Sequence, residues 1–117
     1  MRVAVQSILD QTYVGPIEII VVFDACEPEL PDVDVPPNRT LRALVNSRSR
    51  GLAGTRNTGI LDARHAYVAF LDDDCVPTTT WLPRIVAAFD EDSELEFIFG
   101  RLSAPEHDWR LGGYPSF

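Results

Sequence analysis

Ala66-Tyr67-Val68-Ala69-Phe70-Leu71-Asp72-Asp73-Asp74 is the stretch on which the reading of the fold turns. The run from Tyr67 to Leu71 is apolar and reads as a strand. It ends abruptly on three carboxylates. Working backward, Ile17-Glu18-Ile19-Ile20-Val21-Val22-Phe23 is almost continuously apolar and rich in β-branched residues, as a strand buried on both faces of a parallel sheet reads, and it too ends on an acidic residue, Asp24. Leu41 to Val45 is a weaker strand candidate. Gly51 to Gly54 forms a small-residue turn, after which Thr55 to Arg64 reads as a helix.

Further out the helical period takes over. Met1, Val5, Ile8, Leu9 and Thr12 fall on one face of a short amphipathic helix at the start of the chain. On the other side, Pro77 and Thr78-Thr79-Thr80 supply a helix start signal. The apolar residues that follow, Trp81, Leu82, Ile85, Val86 and Phe89, recur at helical spacing and leave Arg84 and Asp90 wet. Leu95 to Phe99 reads as a third good strand and Pro105 to Phe117 as irregular. Glu27 to Pro37 holds four prolines and four acidic residues and is a loop. Strands alternating with helices predict a layered α/β fold with a mostly parallel sheet, in a single domain covering residues 1–117. In such sheets ligands bind at the carboxyl ends of the strands. Asp24 and the Asp72–Asp74 triplet lie there.

Composition narrows the function. The 117 residues carry a net charge of −8, which argues against a nucleic-acid surface or an anionic membrane as partner. All ten basic residues are arginine. Without lysine there is no P-loop lysine, no Schiff-base lysine and no receiver-domain lysine. No stretch approaches the roughly 18 apolar residues of a transmembrane segment. Polar residues also interrupt Met1 to Ser7 too soon for a secretory signal. The expected location is therefore the cytoplasm, or the cytoplasmic face of a membrane. Cys26 and Cys75 lack zinc-site spacing and read as reduced small hydrophobes; His65 and His107 each read as surface or packing residues.

Three adjacent aspartates need a reason. Two carboxylates about 4 Å apart repel by roughly 4 kcal/mol at an effective dielectric near 20. A solvated loop would splay them apart. If the backbone instead stays extended, alternation puts Asp72 and Asp74 on one face and Asp73 on the other. Such a pair suits a divalent cation that also holds substrate phosphates. Both readings are open from the triplet alone.

The surroundings of the triplet weigh toward the cation. Gln11-Thr12-Tyr13, the strand into Asp24, Gly51-Leu52-Ala53-Gly54-Thr55-Arg56-Asn57-Thr58-Gly59-Ile60, Ala63-Arg64-His65 leading into the Asp72–Asp74 strand, and Trp81-Leu82 together resemble family 2 glycosyltransferases of the GT-A fold. The resemblance runs from about Val5 to Gly100, and its most specific part is Arg-Asn-x-Gly-Ile followed at this spacing by a strand and Asp-Asp-Asp. It implies a nucleotide-diphosphate sugar as donor and Mn2+ or Mg2+ as cofactor. Asp24 matches the acidic residue that hydrogen-bonds the nucleotide base; Phe23 stands where the family often has another Asp. Asp72 matches the first position of the D-x-D motif, near the ribose, and Asp74 the third, a ligand of the metal on the diphosphate. Asp73 between them joins the nucleotide-sugar-binding set. Arg56 and Asn57 match the pair that opens the helix beside the nucleotide pocket. Plainer roles compete: Asp24 as a turn cap, Arg56 as an ion-pair partner of the acidic cluster, Gly59 and Trp81 as packing residues.

The chain departs from the family in two places. Members begin with a central strand carrying a Pro-x-Tyr-Asn type segment, and here the sequence starts inside the following helix. The acidic catalytic base lies well downstream of the D-x-D segment, and no residue here can be matched to it. The expectation is a partial GT-A domain, lacking the first strand, with an incomplete sheet that leaves self-association open. Its rivals are a non-catalytic nucleotide-binding or protein-interaction remnant, and an unrelated α/β domain with a solvated triplet. A general base contributes about 10²–10⁴ in rate, so the 117-residue chain is expected to bind donor without transferring sugar. Comparing its transfer rate with that of a version extended in frame at both ends checks this; equal rates would place a base among its own carboxylates.

Overall fold

A computed structural model describes residues 1–101 and residue 103. The segment Pro105–Phe117, with His107, lies outside the described residues. The order of elements is α1 (Arg2–Leu9), β1 (Ile17–Phe23), β2 (Arg39–Val45), α2 (Leu52–Asp62) and α3 (Trp81–Glu91). β1 and β2 pair in parallel, with Ile17 beside Arg39 at one end and Phe23 beside Val45 at the other. The 27–36 stretch between them has no regular structure, as its prolines dictate.

β2 begins two residues before the expected Leu41, and Arg39 is the reason. Its side chain is buried, and the guanidinium donates to the carbonyl oxygens of Gly15 (2.7 Å), Tyr13 (2.5 Å) and Gln11 (3.3 Å). Buried charge is tolerable only when hydrogen-bonded, and these carbonyls fasten the approach to β1 against the start of β2. Glu18 makes the second lock. Its carboxylate accepts from Arg42 Nε (3.0 Å) and from the backbone N–H of Arg64 (3.0 Å), and Arg42 also donates to the Asp62 carboxylate and to the Asp62 carbonyl (2.7 Å). Burial pushes the Glu18 carboxyl up. The Arg64 N–H and the Arg42 guanidinium outweigh it and hold the group below the ordinary glutamate range.

α1 turns Ala4, Val5 and Leu9 inward, the face its period predicts. Gln11, just past its end, is buried and reaches α3: Nε2 donates to the carbonyls of Ser7 (3.0 Å) and Thr78 (2.7 Å), and Oε1 accepts from the N–H of Leu82 (2.9 Å). That N–H is one of the orphan donors of the first turn of α3, which no local side chain caps. α2 starts at Leu52, three residues before the expected Thr55, on Gly51 at φ 99°. Its second glycine is needed for space: a Cβ on Gly54 would overlap the Ser49 carbonyl oxygen. Gly59 faces Val22 of β1, 3.5 Å from where its Cβ would stand, in keeping with the packing role.

Two expected strands do not form. Tyr67–Leu71 and Leu95–Phe99 carry no ladder hydrogen bonds, and the sheet among the described residues has two strands. A strand needs a neighbour's backbone as well as a suitable sequence. Between β1 and the 66–73 segment lies a cleft of about 500 Å³, walled by Ile19, Val21, Phe70 and Leu71 and by α1 and α3 residues such as Ile8 and Ile85. Val68 and Phe70 are 44% and 47% exposed, far from the covered positions their sequence suits. Phe97 and Phe99 of the second segment are 76% and 94% exposed. The Tyr67 ring still stacks on Phe89 of α3 at 4.9 Å between centroids, so α3 stays docked. The architecture is thus an incomplete, parallel α/β domain.

The register says which β1 amides lack partners among the described residues. Ile17 donates to Asn38 and Phe23 accepts from Asn46, so the odd-numbered residues point their amides at β2. In a parallel ladder alternate residues point the opposite way, which turns the N–H groups of Glu18, Ile20 and Val22 toward the cleft. Hydrogen exchange is expected to show Ile19 and Val21 protected, and Ile20 and Val22 faster by about tenfold or more for each 1.4 kcal/mol of missing protection. Equal protection along β1 would mean that the cleft is closed in solution.

Candidate functional site

The carboxyl ends of both strands meet the start of α2. β1 ends at Phe23 and β2 at Val45, side by side, so Asp24 and Asn46 are neighbours. Ala25, at φ 58°, then turns the chain away from the sheet. Asp24 uses both carboxylate oxygens: Oδ1 accepts from Asn46 Nδ2 (2.8 Å) and Oδ2 from the backbone N–H of Gly51 (2.7 Å), the residue that opens α2. Those two donors, Asn46 first, hold its carboxyl below the usual aspartate range against a smaller desolvation cost, with Arg50 adding a weaker pull. The turn-capping role foreseen for Asp24 is therefore present. Each carboxylate oxygen keeps a further lone pair, and Asp24 is half-buried rather than enclosed.

The second acidic feature lies across α2. Arg56 Nη2 stands 3.3 Å from Asp72 Oδ1, and its guanidinium lies 5.6 Å from the centre of the Phe70 ring. The ion-pair role foreseen for Arg56 is present too. Both partners are well exposed, and such a pair contributes about 0–1 kcal/mol, so phosphate or metal could displace it at little cost. Asp72 to Cys75 forms a turn closed by the Cys75 N–H on the Asp72 carbonyl (3.0 Å). The backbone is therefore not extended through the triplet, and strand alternation does not set the faces of Asp72 and Asp74. All three carboxylates are exposed. The Asp73 carboxylate lies 3.8 Å from the Met1 ammonium, and its carbonyl accepts from it at 2.7 Å. Burial first, then hydrogen bonding to Asp74, pushes the Cys75 thiol up, so it stays protonated and is a poor nucleophile or ligand. Asn57 is exposed on α2. Arg56, Asp72 and Asp73 line the cleft, while Asp24 and Asp74 do not. The cleft's walls are otherwise core-like, which makes it a gap between layers rather than a ligand pocket. Among the described residues no three His, Cys, Asp or Glu side chains converge as a ready metal cage.

The chain that carries Asp24, the helix opening on Gly-Leu-Ala-Gly-Thr-Arg-Asn and the acidic triplet has counterparts among known proteins. The model of the family described as "Glycosyl transferase family 2" covers residues 1–113. The chain belongs to that family. It is 43% identical over 47 residues to Glycosyltransferase AglE of Haloferax volcanii, a match that takes in 40% of this chain and 16% of that protein. The chain thus spans a small part of the length of this curated relative. No solved structure matches it. For a family 2 chain the α/β architecture with a parallel sheet is the fold expected, and no helix among the described residues is long and apolar enough to cross a membrane.

Asn46 is the residue of this site that the sequence reading passed over. It makes one of the two hydrogen bonds to the Asp24 carboxylate, and its signal was its position: the first residue after a parallel strand, where ligand sites concentrate. Thr58, buried in α2 with its hydroxyl donating to Asn46 Oδ1 (3.0 Å), was legible only as part of the helix.

Asp24 gives the family 2 domain a pH signature. A carboxyl lowered in the folded state adds stability above its unfolded value, about 4, and that increment disappears as pH falls through the lower folded value. Chemical denaturation of wild type and Asp24→Asn should therefore differ most at pH 6–7, and the gap should close below about pH 4. A gap independent of pH would mean that the charge on Asp24 does not hold the α2 turn.

Proposed function

We propose that this family 2 glycosyltransferase chain binds the nucleoside diphosphate half of a nucleotide-diphosphate sugar, for glycosyl transfer to an acceptor. The observation that carries the reading is that two separate acidic features meet the first turns of α2: Asp24, at the end of β1, accepts from Gly51, and Asp72 pairs with Arg56. Asp24 meets the base, Asp72 and Asp73 the ribose side, and Arg56 with Asn57 the phosphates, in a protein of the cytoplasm or its membrane face.

The residues present fit a divalent cation. Asp72 and Asp74 are hard oxygen donors, both exposed and close in sequence at one turn. Two carboxylates leave most of the coordination to phosphate oxygens and water, which is how Mg2+ and Mn2+ bind beside nucleotides. When bound, such an ion neutralises charge on the diphosphate as it departs. The chain's own part is to position. Arg56 exchanges its weak pairing with Asp72 for a phosphate oxygen, and Asp72 is thereby freed for the ion or the ribose. A net charge of −8 makes the cation necessary as well as suitable, because a diphosphate alone would be repelled.

Titration calorimetry with nucleoside diphosphates is expected to show weak binding in Mn2+ or Mg2+ and none in EDTA. Asp74→Ala should remove the metal-dependent binding with a stability change within about ±0.5 kcal/mol. Asp73→Ala should be milder, since Asp73 is engaged by the Met1 ammonium instead. Equal affinity with and without metal would overturn the bridging cation, and equal losses in the two variants would overturn the division of roles.

A further inference from the structure

We infer that Asn46 is a positioning residue for base recognition: its amide is locked in one orientation and holds Asp24 with its free lone pairs turned to the nucleotide base. The inference rests on the donor-binding reading above and goes beyond it by naming a residue which that reading did not contain.

The lock follows from counting partners. An Asn amide offers two N–H donors and an oxygen with two lone pairs. Asn46 Nδ2 donates to Asp24 Oδ1 at 2.8 Å and to the Ser49 carbonyl at 2.9 Å. Asn46 Oδ1 accepts from the backbone N–H of Arg48 at 2.9 Å and from Thr58 Oγ1 at 3.0 Å. All four capacities are used. Rotating the amide by half a turn would set its NH2 against the Arg48 N–H and its oxygen against the Asp24 carboxylate and the Ser49 carbonyl. One orientation satisfies these partners and the other repels most of them. The backbone is fixed as well, because the Asn46 N–H continues the ladder onto the Phe23 carbonyl at 2.8 Å.

Through this one side chain, Asp24 at the end of β1 is joined to the 47–50 loop and to the interior of α2. The second hold on Asp24, the Gly51 N–H, comes from the same turn. With one lone pair of each oxygen occupied by a fixed donor, the remaining pairs have fixed directions. A carboxylate presented in that way suits a ring N–H, such as uracil and guanine carry on their pairing edges, and holds it by geometry rather than by charge alone. Asn46 itself has no capacity left for the nucleotide, so its effect on binding must pass through Asp24.

The test is calorimetry in Mn2+ with UDP, GDP, ADP, CDP and inorganic pyrophosphate, on wild type, Asn46→Ala, Asn46→Asp and Thr58→Val. Thermal unfolding of each variant is read alongside. Wild type should prefer one or two of the four nucleotides and bind pyrophosphate independently of the base. Asn46→Ala should weaken the preferred nucleotide by roughly tenfold, the order of one hydrogen bond to a charged group, flatten the spread among bases, and leave pyrophosphate within about twofold. Asn46→Asp sets a carboxylate against Asp24 and should flatten the preference at least as much. Thr58→Val keeps the packing, removes only the hydroxyl that holds Asn46 Oδ1, and should flatten it in part; it reports if the Asn46 variants do not fold. A wild type that discriminates, with folded variants that discriminate equally well, would overturn the positioning role alone. A wild type that binds pyrophosphate as tightly as any nucleotide would overturn the base-binding reading of Asp24, and the inference with it.

Discussion

The parallel register of β1 on β2 is the constraint from which the candidate site is built. Phe23 stands beside Val45, so the next residues, Asp24 and Asn46, leave the sheet together and on the same side. A slip of one residue would send alternate side chains to the opposite face; Asn46 would lose both Asp24 and the Phe23 carbonyl. Two polar locks resist such a slip. Arg39 is held by four carbonyls at the amino end, and Glu18 bonds Arg42 diagonally across the strands. Apolar side chains tolerate sliding past one another, whereas these groups would be left buried and unpaired at about 1–3 kcal/mol each. Three charged residues in the sheet, Arg39, Glu18 and Arg42, therefore fix the register that the apolar ones leave free.

The same geometry divides the proposed work between the two acidic features. A helix start attracts anions through its free N–H groups and its dipole. At α2 one of those groups is already engaged: the Asp24 carboxylate accepts the Gly51 N–H. The proposed site therefore sets a carboxylate beside the helix start and gives the phosphate to Arg56, one turn further along. There the competing group is Asp72, exposed and weakly paired at 3.3 Å. The base side of the site is thus occupied by its own protein contacts, and the phosphate side is open to exchange.

Much of this was legible in the sequence, and the exceptions have a common cause. α1, β1 and α3 were readable because an apolar period or a β-branched run reports directly on burial. Asp24, Arg56 and Asp72 were readable as residue types at strand ends and at a helix start, although their bonds to Asn46, to Gly51 and to each other were not. Tyr67–Leu71 and Leu95–Phe99 have strand sequences without strand structure, because pairing is a property of two segments and a sequence period describes one. The early starts of β2 and α2 were hidden for a related reason. Arg39 and Gly51 look like loop residues until carbonyls from elsewhere in the chain, or a distant carboxylate, give them partners.

The unpaired segment has a consequence for how binding would proceed. Asp24 is fixed by Asn46 and Gly51, which are themselves anchored in β2 and α2. Asp72, Asp73 and Asp74 follow a segment with no ladder bonds, beside a cleft of about 500 Å³. What holds the triplet is one turn hydrogen bond, the exposed pair with Arg56 and the contacts with the Met1 ammonium. Exposed pairs of this kind contribute about 0–1 kcal/mol each, which is close to thermal energy and too little to fix a carboxylate to within a metal–ligand distance. The base half of the proposed site is preorganised and the diphosphate half is not. Ordering the second half draws on the free energy of binding, so in the proposed site a nucleoside diphosphate with metal should bind weakly. Strengthening the hold on the 66–73 segment would then improve diphosphate affinity while leaving the ranking of the bases unchanged, since that ranking is set on the far side of α2.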